Sequence, residues 1–189
     1  VRSTGMTLGS ATARLRWLTD AETAMNDSST GVGQLMTSMF QNMEKLAASP
    51  SDTALRVTTL DSIGRVAQAF NQTAADLKNV SAGIATEATA SVETINRSLS
   101  ALSNINNSLL RAQPGTSAYA QLLDSRDAAL QTLSENMDVT ISFGARDSAE
   151  ISFAGQTLVS GNSAASLSVA ANDDGTLNKV NYSDMWDSH

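Results

Sequence analysis

Apolar residues recur at steps of three and four along most of the first 138 residues, and residues at this spacing share one face of a helix. The longest such run extends from Ser51 to about Gln113 and contains no proline. A helix of about 60 residues is about 90 Å long, which is more than catalysis by a small domain requires. The pattern therefore favours a structural or signalling role. Its apolar stripe comprises Leu60, Ile63, Ala67, Phe70, Ala74, Leu77, Ile84, Ala88, Val92, Ile95, Leu99, Leu102 and Ile105.

Three shorter helices are predicted at Leu8–Met25, Val32–Ala48 and Ser117–Met137, separated by segments rich in turn-forming residues. Together they contain about 56 residues, or about 84 Å of helix, which roughly matches the long helix. We expect the shorter helices to pack along it and to leave a partly uncovered stripe for neighbouring subunits.

After Val139 the period changes to the alternation of β-strands. An Asp173-Asp174-Gly175 turn fits between the last two strands. The sequence thus predicts a mainly α chain with a small β region: an elongated, rod-like helical bundle at residues 1–138, followed by short antiparallel strands at 139–189 that begin an outer β domain. The predicted strands are Val139–Phe143, Glu150–Phe153, Gln156–Val159, Ser166–Val169 and Asn178–Tyr182.

Composition excludes several classes of function. Nineteen acidic and 12 basic residues give a net charge of −7, and no basic patch suits nucleic acid or an anionic membrane. No apolar stretch reaches the 18 or so residues that span a bilayer. Cysteine is absent, which rules out disulfides and thiolate metal sites within the chain.

Few residues of the chain are of the types that catalyse reactions or bind metal ions. The single histidine, His189, stands at the last position, where it cannot anchor a triad or a typical zinc site. Asp124, Arg126 and Asp127 cluster on the fourth helix, and we interpret them as ion pairs or caps that fix this helix against its neighbours. Met36, Met39 and Met43 recur at helical spacing and are interpreted as core residues. We predict no enzymatic activity, no cofactor and no metal site.

Several short words follow one another between about residues 34 and 162: Leu46 to Arg56, Phe70-Asn71 with Leu77, Ile95-Asn96 with Ile105-Asn106, Leu122 to Asp127, and Leu158-Val159-Ser160-Gly161. In this order they resemble the family of the first flagellar hook-associated protein, which joins hook to filament. The most specific word, Leu122-Leu123-Asp124-Ser125-Arg126-Asp127, is similar to the family's Leu-Leu-Asp-Gln-Arg-Asp and departs from it at Ser125.

The resemblance implies a structural subunit that is exported by the flagellar secretion system and stands outside the cell at the hook–filament junction. It implies self-association side by side in a ring, and contacts with the hook protein and the second junction protein. It also implies an export chaperone that binds a terminal segment not recognisable here. The chain then resembles a central fragment, soluble and monomeric, that binds neither nucleic acid nor membrane.

Two groups of scaffold residues follow from this interpretation. Leu122, Leu123, Asp124, Arg126 and Asp127 form the structural motif of the fourth helix. The expected core comprises Leu60, Phe70, Leu77, Ile84, Ile95, Leu102 and Leu130.

Three alternatives remain. Another axial protein, either the filament subunit or the second junction protein, shares a helical inner region. A chemoreceptor-like signalling rod fits the segment from Asp76 to Ile95, but such a hairpin needs two long matching helices, and here one short helix and strands follow. A carbohydrate-binding or enzymatic role of the β region also stays open.

Overall fold

A computed structural model describes residues 2–25, 31–172 and 177–183. In these residues, four helices precede six strands, so the predicted mainly helical fold with a small antiparallel sheet is confirmed. The Asp173 to Gly175 turn and His189 lie outside the described residues. The helices are α1 Arg2–Met25, α2 Val32–Ala48, α3 Thr53–Arg111 and α4 Ser117–Asn136; the strands are β1 Thr140–Phe143, β2 Ala149–Phe153, β3 Gln156–Ser160, β4 Ser163–Ala164, β5 Ser166–Ala171 and β6 Leu177–Ser183.

Side-chain caps define where α3 and α4 begin. The Asp52 Oδ1 accepts hydrogen bonds from the backbone N–H groups of Ala54 at 2.8 Å and Leu55 at 3.1 Å. Thr116 plays the same part for α4 by accepting the Tyr119 N–H at 3.2 Å. These oxygens satisfy N–H groups that have no partner within the helix.

The chain divides into two compact units, and α3 contributes residues to both. One unit comprises residues 14–84, and the other comprises residues 1–13 and 85–189. The predicted division between 138 and 139 does not coincide with this one. That an outer β domain begins within 139–189 stays a prediction.

In the second unit, the C-terminal half of α3, α4 and the strands share one hydrophobic core. β1 to β4 form an antiparallel sheet in sequence order, and β5 pairs with β6 in a separate hairpin. Ile95, Leu102 and Leu130 are buried, as predicted, while Ile84 at the end of the first unit is half-buried. The core comprises Val92, Ile95, Leu99, Leu102, Leu130, Leu133, Ala149, Ile151, Leu158, Val159, Ala165 and Leu167.

In the unit of residues 14–84, α2 packs against a different face of α3 from the predicted one. Thr59, Ser62 and Val66 of α3 are buried, and the Thr59 hydroxyl lies 3.3 Å from the Asn42 carbonyl of α2. Prediction of Leu60, Phe70 and Leu77 as core residues was wrong, since they are 68%, 52% and 39% exposed. Neighbouring stripes on one helix differ by a single residue, and the hydrophobic pattern does not say which of them the chain itself covers.

Trp17 of α1 packs directly on Gly83 of α3. A Cβ atom at Gly83 would lie 2.6 Å from the Trp17 ring, so only glycine leaves room for it. Gly83 is therefore a point of close packing between α1 and α3. At Gly64, apart from its own stretch of helix, no atom of the described residues lies within 4 Å of the corresponding position.

Candidate functional site

Asn106 anchors the sheet to α3. Its side chain is fully buried, and its amide Nδ2 donates to the carbonyl oxygens of Ala149 and Gly161, both at 2.8 Å. Its Oδ1 accepts the N–H of Ala149 at 2.7 Å. The side chain thus pairs with three backbone groups, two of Ala149 and one of Gly161, in a structure where buried polar groups need such partners.

Asn96 repeats the arrangement on the β5–β6 hairpin. Its Nδ2 donates to the carbonyl oxygen of Leu167 at 2.8 Å, and its Oδ1 accepts the N–H of Leu167 at 2.9 Å. Asn96 and Asn106 are ten residues apart, about 15 Å along the helix. The two side chains hold two separate β elements at set positions on α3.

The residues of the predicted α4 motif differ in their exposure to solvent. Leu122 and Leu123 are half-buried, and Asp124 and Asp127 are exposed. Arg126 is 11% exposed, and its side chain extends to another element, the β1–β2 connection. Arg126 therefore links α4 to the β1–β2 connection. That the five residues together fix α4 against its neighbours stays a prediction.

Arg126 makes three kinds of contact. Its Nη1 donates to the Asp147 carbonyl oxygen at 2.7 Å, and its Nε and Nη2 donate to the Asp127 Oδ1 at 3.0 and 2.8 Å. Its guanidinium carbon lies 4.6 Å from the centre of the Phe143 ring, within the range of a cation–π interaction. Asp127 thus orients the arginine that holds the loop.

The β1–β2 connection, with its 3-10 turn at Ala145–Asp147, caps the end of α3. Arg146 Nη1 donates to the carbonyl oxygens of Leu110 and Ala112, both at 3.0 Å, where the helix leaves its last carbonyls unpaired. Arg146 and Asp147 adopt φ of +54° and +60°, a conformation that costs about 1–2 kcal/mol per residue without glycine. The surrounding hydrogen bonds maintain it.

Tyr119 completes this cluster, which we name the clasp: Tyr119, Arg126, Arg146 and Asp147. Its hydroxyl lies 2.9 Å from Asp147 Oδ2 and 3.0 Å from the Arg146 carbonyl oxygen. Burial, followed by the hydrogen bond to Asp147, raises the pKa of Tyr119 above its usual 10.0. The clasp ties the end of α3, the start of α4 and the β1–β2 connection to one another.

These arrangements suit mechanical attachment. Among the described residues, no group of three or more His, Asp or Glu side chains could hold a metal ion. A depression of about 230 Å³ on the sheet is lined by Glu150 and by serine, threonine and aliphatic residues, with no imidazole or amine among them. In the described part of the chain, no helix has the length and apolarity needed to cross a bilayer.

Sequence reasoning missed the anchors and most of the clasp. Asn96 and Asn106 each follow an isoleucine, and both pairs belong to the words that carried the family resemblance. An asparagine beside the apolar stripe of a long helix was the available signal. Tyr119, Arg146 and Asp147 offered none, because their contacts join residues 27 to 36 positions apart.

Comparison with known proteins agrees with this structural interpretation. Residues 18–187 match the family described as "Flagellar hook-associated protein FlgK helical domain". The chain is 24% identical over 127 residues to flagellar hook-associated protein 1 of Bacillus subtilis (strain 168). This alignment covers 67% of the present chain and 25% of that protein.

The fold is similar to that of the flagellar hook junction protein FlgK from Burkholderia pseudomallei, with a TM-score of 0.78 at 22% identity. That match covers 93% of this chain and 32% of the other. The chain therefore spans only about a quarter to a third of the length of these relatives. Because the family match extends over residues 18–187, the chain belongs to the helical-domain family of the flagellar hook-associated protein FlgK.

Proposed function

We propose that residues 1–189 form the helical domain of a longer structural subunit that joins the hook of a bacterial flagellum to its filament. The observation that carries this proposal is the family match over residues 18–187. The names of the two relatives, a hook-associated protein and a hook junction protein, support it. The subunit works outside the cell after export by the flagellar secretion system, and it is not an enzyme.

The geometry suits a strut that resists load. A single helix, α3, extends over 59 residues, and side-chain amides attach β elements to it at the half-buried Asn96 and the fully buried Asn106. A typical hydrogen bond contributes about 1 kcal/mol, and a buried group left without its partner costs about 1–3 kcal/mol. Sliding of the sheet along α3 would break several of these bonds at once, so the attachment is stiff.

The partners follow from the same proposal. Identical subunits assemble side by side in a ring, with the hook protein on one side and the second junction protein on the other. A terminal segment outside residues 1–189 binds the export chaperone. The strands within 139–189 lead into an outer β domain, and Leu122, Leu123, Asp124, Arg126 and Asp127 hold the last helix against them.

Deletion of the complete gene from its motile host tests the function. We expect cells with hooks but no attached filaments, and unassembled filament protein in the medium. The complete gene should restore filaments, whereas a copy lacking the codons for residues 1–189 should not. Normal filaments in the deletion strain would exclude the junction role. Normal filaments combined with failed responses to attractants would favour the signalling rod.

A further inference from the structure

The β5–β6 hairpin is attached to α3 separately from the four-stranded sheet. Its two strands pair with each other, and β1 to β4 form the other sheet. Directly before β5, the N–H of Ala165 donates to the Leu158 carbonyl oxygen of β3 at 2.8 Å, and Ala165 is buried. The chain is therefore fixed to the four-stranded sheet as far as Ala165, and the hairpin begins at the next residue.

Leu167 is the residue through which the hairpin bonds to α3. Its N–H donates to Asn96 Oδ1 at 2.9 Å, and its carbonyl oxygen accepts from Asn96 Nδ2 at 2.8 Å. Along an antiparallel pair, residues that exchange backbone hydrogen bonds alternate with residues that do not. Because both backbone groups of Leu167 bond to Asn96, the Leu167–Tyr182 pair is of the second type. The bonds to Asn96 therefore lie on the edge of β5 opposite β6, and breaking them leaves the bonds between β5 and β6 intact.

The two asparagine anchors differ in strength. Asn106 is fully buried and makes three hydrogen bonds to two residues of the four-stranded sheet. Asn96 is half-buried and makes two hydrogen bonds, both to Leu167. Water can reach a half-buried amide and replace the bonds it loses, which lowers the free energy of separation. The attachment of the hairpin is thus the weaker of the two.

Apolar packing differs in the same direction. Strands β2 and β3 contribute four side chains to the core that are each at most 1% exposed. Among the side chains that the structure describes, β5 contributes only Leu167, which is 7% exposed, and the half-buried Val169. Segments with fewer buried contacts and fewer hydrogen bonds open at a lower free energy than the whole domain.

We propose that the β5–β6 hairpin releases reversibly from α3 as one unit, while β1 to β4 stay attached through Asn106. Release breaks the two bonds between Leu167 and Asn96 and exposes Leu167 and Val169 to water. The hinge lies between Ala165 and Ser166, because Ala165 remains bonded to β3. The structure thus contains a local opening that does not require unfolding of the shared core.

The register places this attachment where the chain leaves the hairpin. Ser183, the last residue of β6, pairs with Ser166, and Tyr182 pairs with Leu167. If the strands lead into an outer β domain, as proposed above, tension from that domain reaches Asn96 before it reaches β1 to β4. Release then lets the outer part yield while the helical core stays folded. This consequence rests on the proposed function, whereas the release itself does not.

Hydrogen–deuterium exchange of the full-length subunit tests the release. Mass spectrometry with fragmentation to single residues compares the amides of Leu167 and Ala149, each bonded to an anchor asparagine. We expect protection against exchange to be at least about tenfold lower at Leu167, since a local opening costs less than opening of the core. Exchange at Leu167 should also depend less on low urea concentrations, because release exposes little surface.

Asn96→Ala shows whether the hairpin moves as a unit. Ser168, the residue after Leu167, belongs to the hydrogen-bonded type of pair, so its N–H bonds to β6 and not to Asn96. A two-stranded hairpin alone is marginally stable, so its own amides exchange once it is released. The variant should therefore speed exchange at both Leu167 and Ser168 by about tenfold, as expected for two lost hydrogen bonds, and leave Ala149 unchanged. Asn104→Ala, at an exposed position on the same helix, is the matched control and should alter none of the three.

Two outcomes would overturn the proposal. Equal protection and equal urea dependence at Leu167 and Ala149 in the parent would show that hairpin and sheet open together. Faster exchange at Leu167 alone in Asn96→Ala would reduce Asn96 to a local partner of one amide. The first comparison needs no variant, so misfolding of Asn96→Ala does not decide the result. Loss of the junction role would not alter these exchange rates, so the two proposals fail separately.

Discussion

The side chain of Asn106 on α3 forms two hydrogen bonds with the backbone of Ala149, as the backbone of a neighbouring strand would. The Asn106 amide donates to the Ala149 carbonyl at 2.8 Å and accepts its N–H at 2.7 Å, with none of the side chain exposed. The first residue of β2 thereby gains a partner on α3. These hydrogen bonds fix the position of the first residue of β2 along α3.

Replacement of Asn106 by leucine should destabilise the domain by about 3 kcal/mol or more, because three backbone groups lose their partner. The change leaves the N–H of Ala149 and the carbonyls of Ala149 and Gly161 buried without this partner, at about 1–3 kcal/mol for each unsatisfied group. Urea denaturation monitored by circular dichroism measures the loss. Asn104→Leu, at an exposed position on the same helix, should change stability little. Equal effects of the two variants would contradict the anchor.

Arg146 offers a paired test of the helix cap and of backbone strain. Arg146→Ala removes the bonds to Leu110 and Ala112 but keeps the left-handed φ, whereas Arg146→Gly removes the same bonds and relieves the strain. We expect the glycine variant to be more stable than the alanine variant by about 1 kcal/mol, and both to be less stable than the parent. Thermal denaturation ranks the three proteins. An alanine variant as stable as the glycine variant would argue against a strained residue 146.

Tyr119 should make stability decrease at high pH. Its pKa is raised in the folded state by burial and by the bond to Asp147, so the folded protein retains the phenolic proton more strongly than the unfolded chain does. This stabilisation is complete below pH 10, the unfolded value, and is lost as the pH rises through the folded value. Urea midpoints measured from pH 8 upward should therefore decrease more steeply for the parent than for Tyr119→Phe. Parallel curves would show that Tyr119 ionises alike in both states.

Gly83→Ala should destabilise residues 14–84 even though alanine favours helices. The new methyl group would lie 2.6 Å from the Trp17 ring, and displacement of a packed aromatic side chain costs about 1–3 kcal/mol. In the isolated chain, Gly64→Ala is the control: it enters open space and should stabilise the helix by up to about 1 kcal/mol. Tryptophan fluorescence during denaturation reports both effects. Equal stabilisation by the two changes would rule out the Trp17 contact.

Ile95→Asp should be among the most damaging single changes in the second unit. Ile95 is 6% exposed within the core shared by α3, α4 and the strands, so an aspartate there would be buried without a partner. A loss of several kcal/mol is expected, in line with other buried unpaired charges. The exposed Ser100→Asp supplies the control on the same helix. An unchanged melting curve for Ile95→Asp would contradict this placement.

Local patterns predicted the elements closely. The second helix has the predicted bounds, Val32–Ala48, and the five predicted strands are present at nearly the predicted positions. These features depend on neighbours in sequence: the three-four period, alternation, and the polar segments that interrupt them. The two-residue β4 and the 3-10 turn were not predicted, since segments so short have no period.

By itself, the sequence determined the mainly helical class, the order of helices and strands, the family resemblance, and the burial of Ile95, Leu102 and Leu130. Only the tertiary structure decided which stripe of α3 is covered, leaving Leu60, Phe70 and Leu77 exposed while Thr59, Ser62 and Val66 are buried. It also revealed the clasp and the two asparagine anchors. The physical reason is that hydrophobic period selects an element and its possible faces, whereas burial of a face and pairing of a polar group depend on partners distant in sequence.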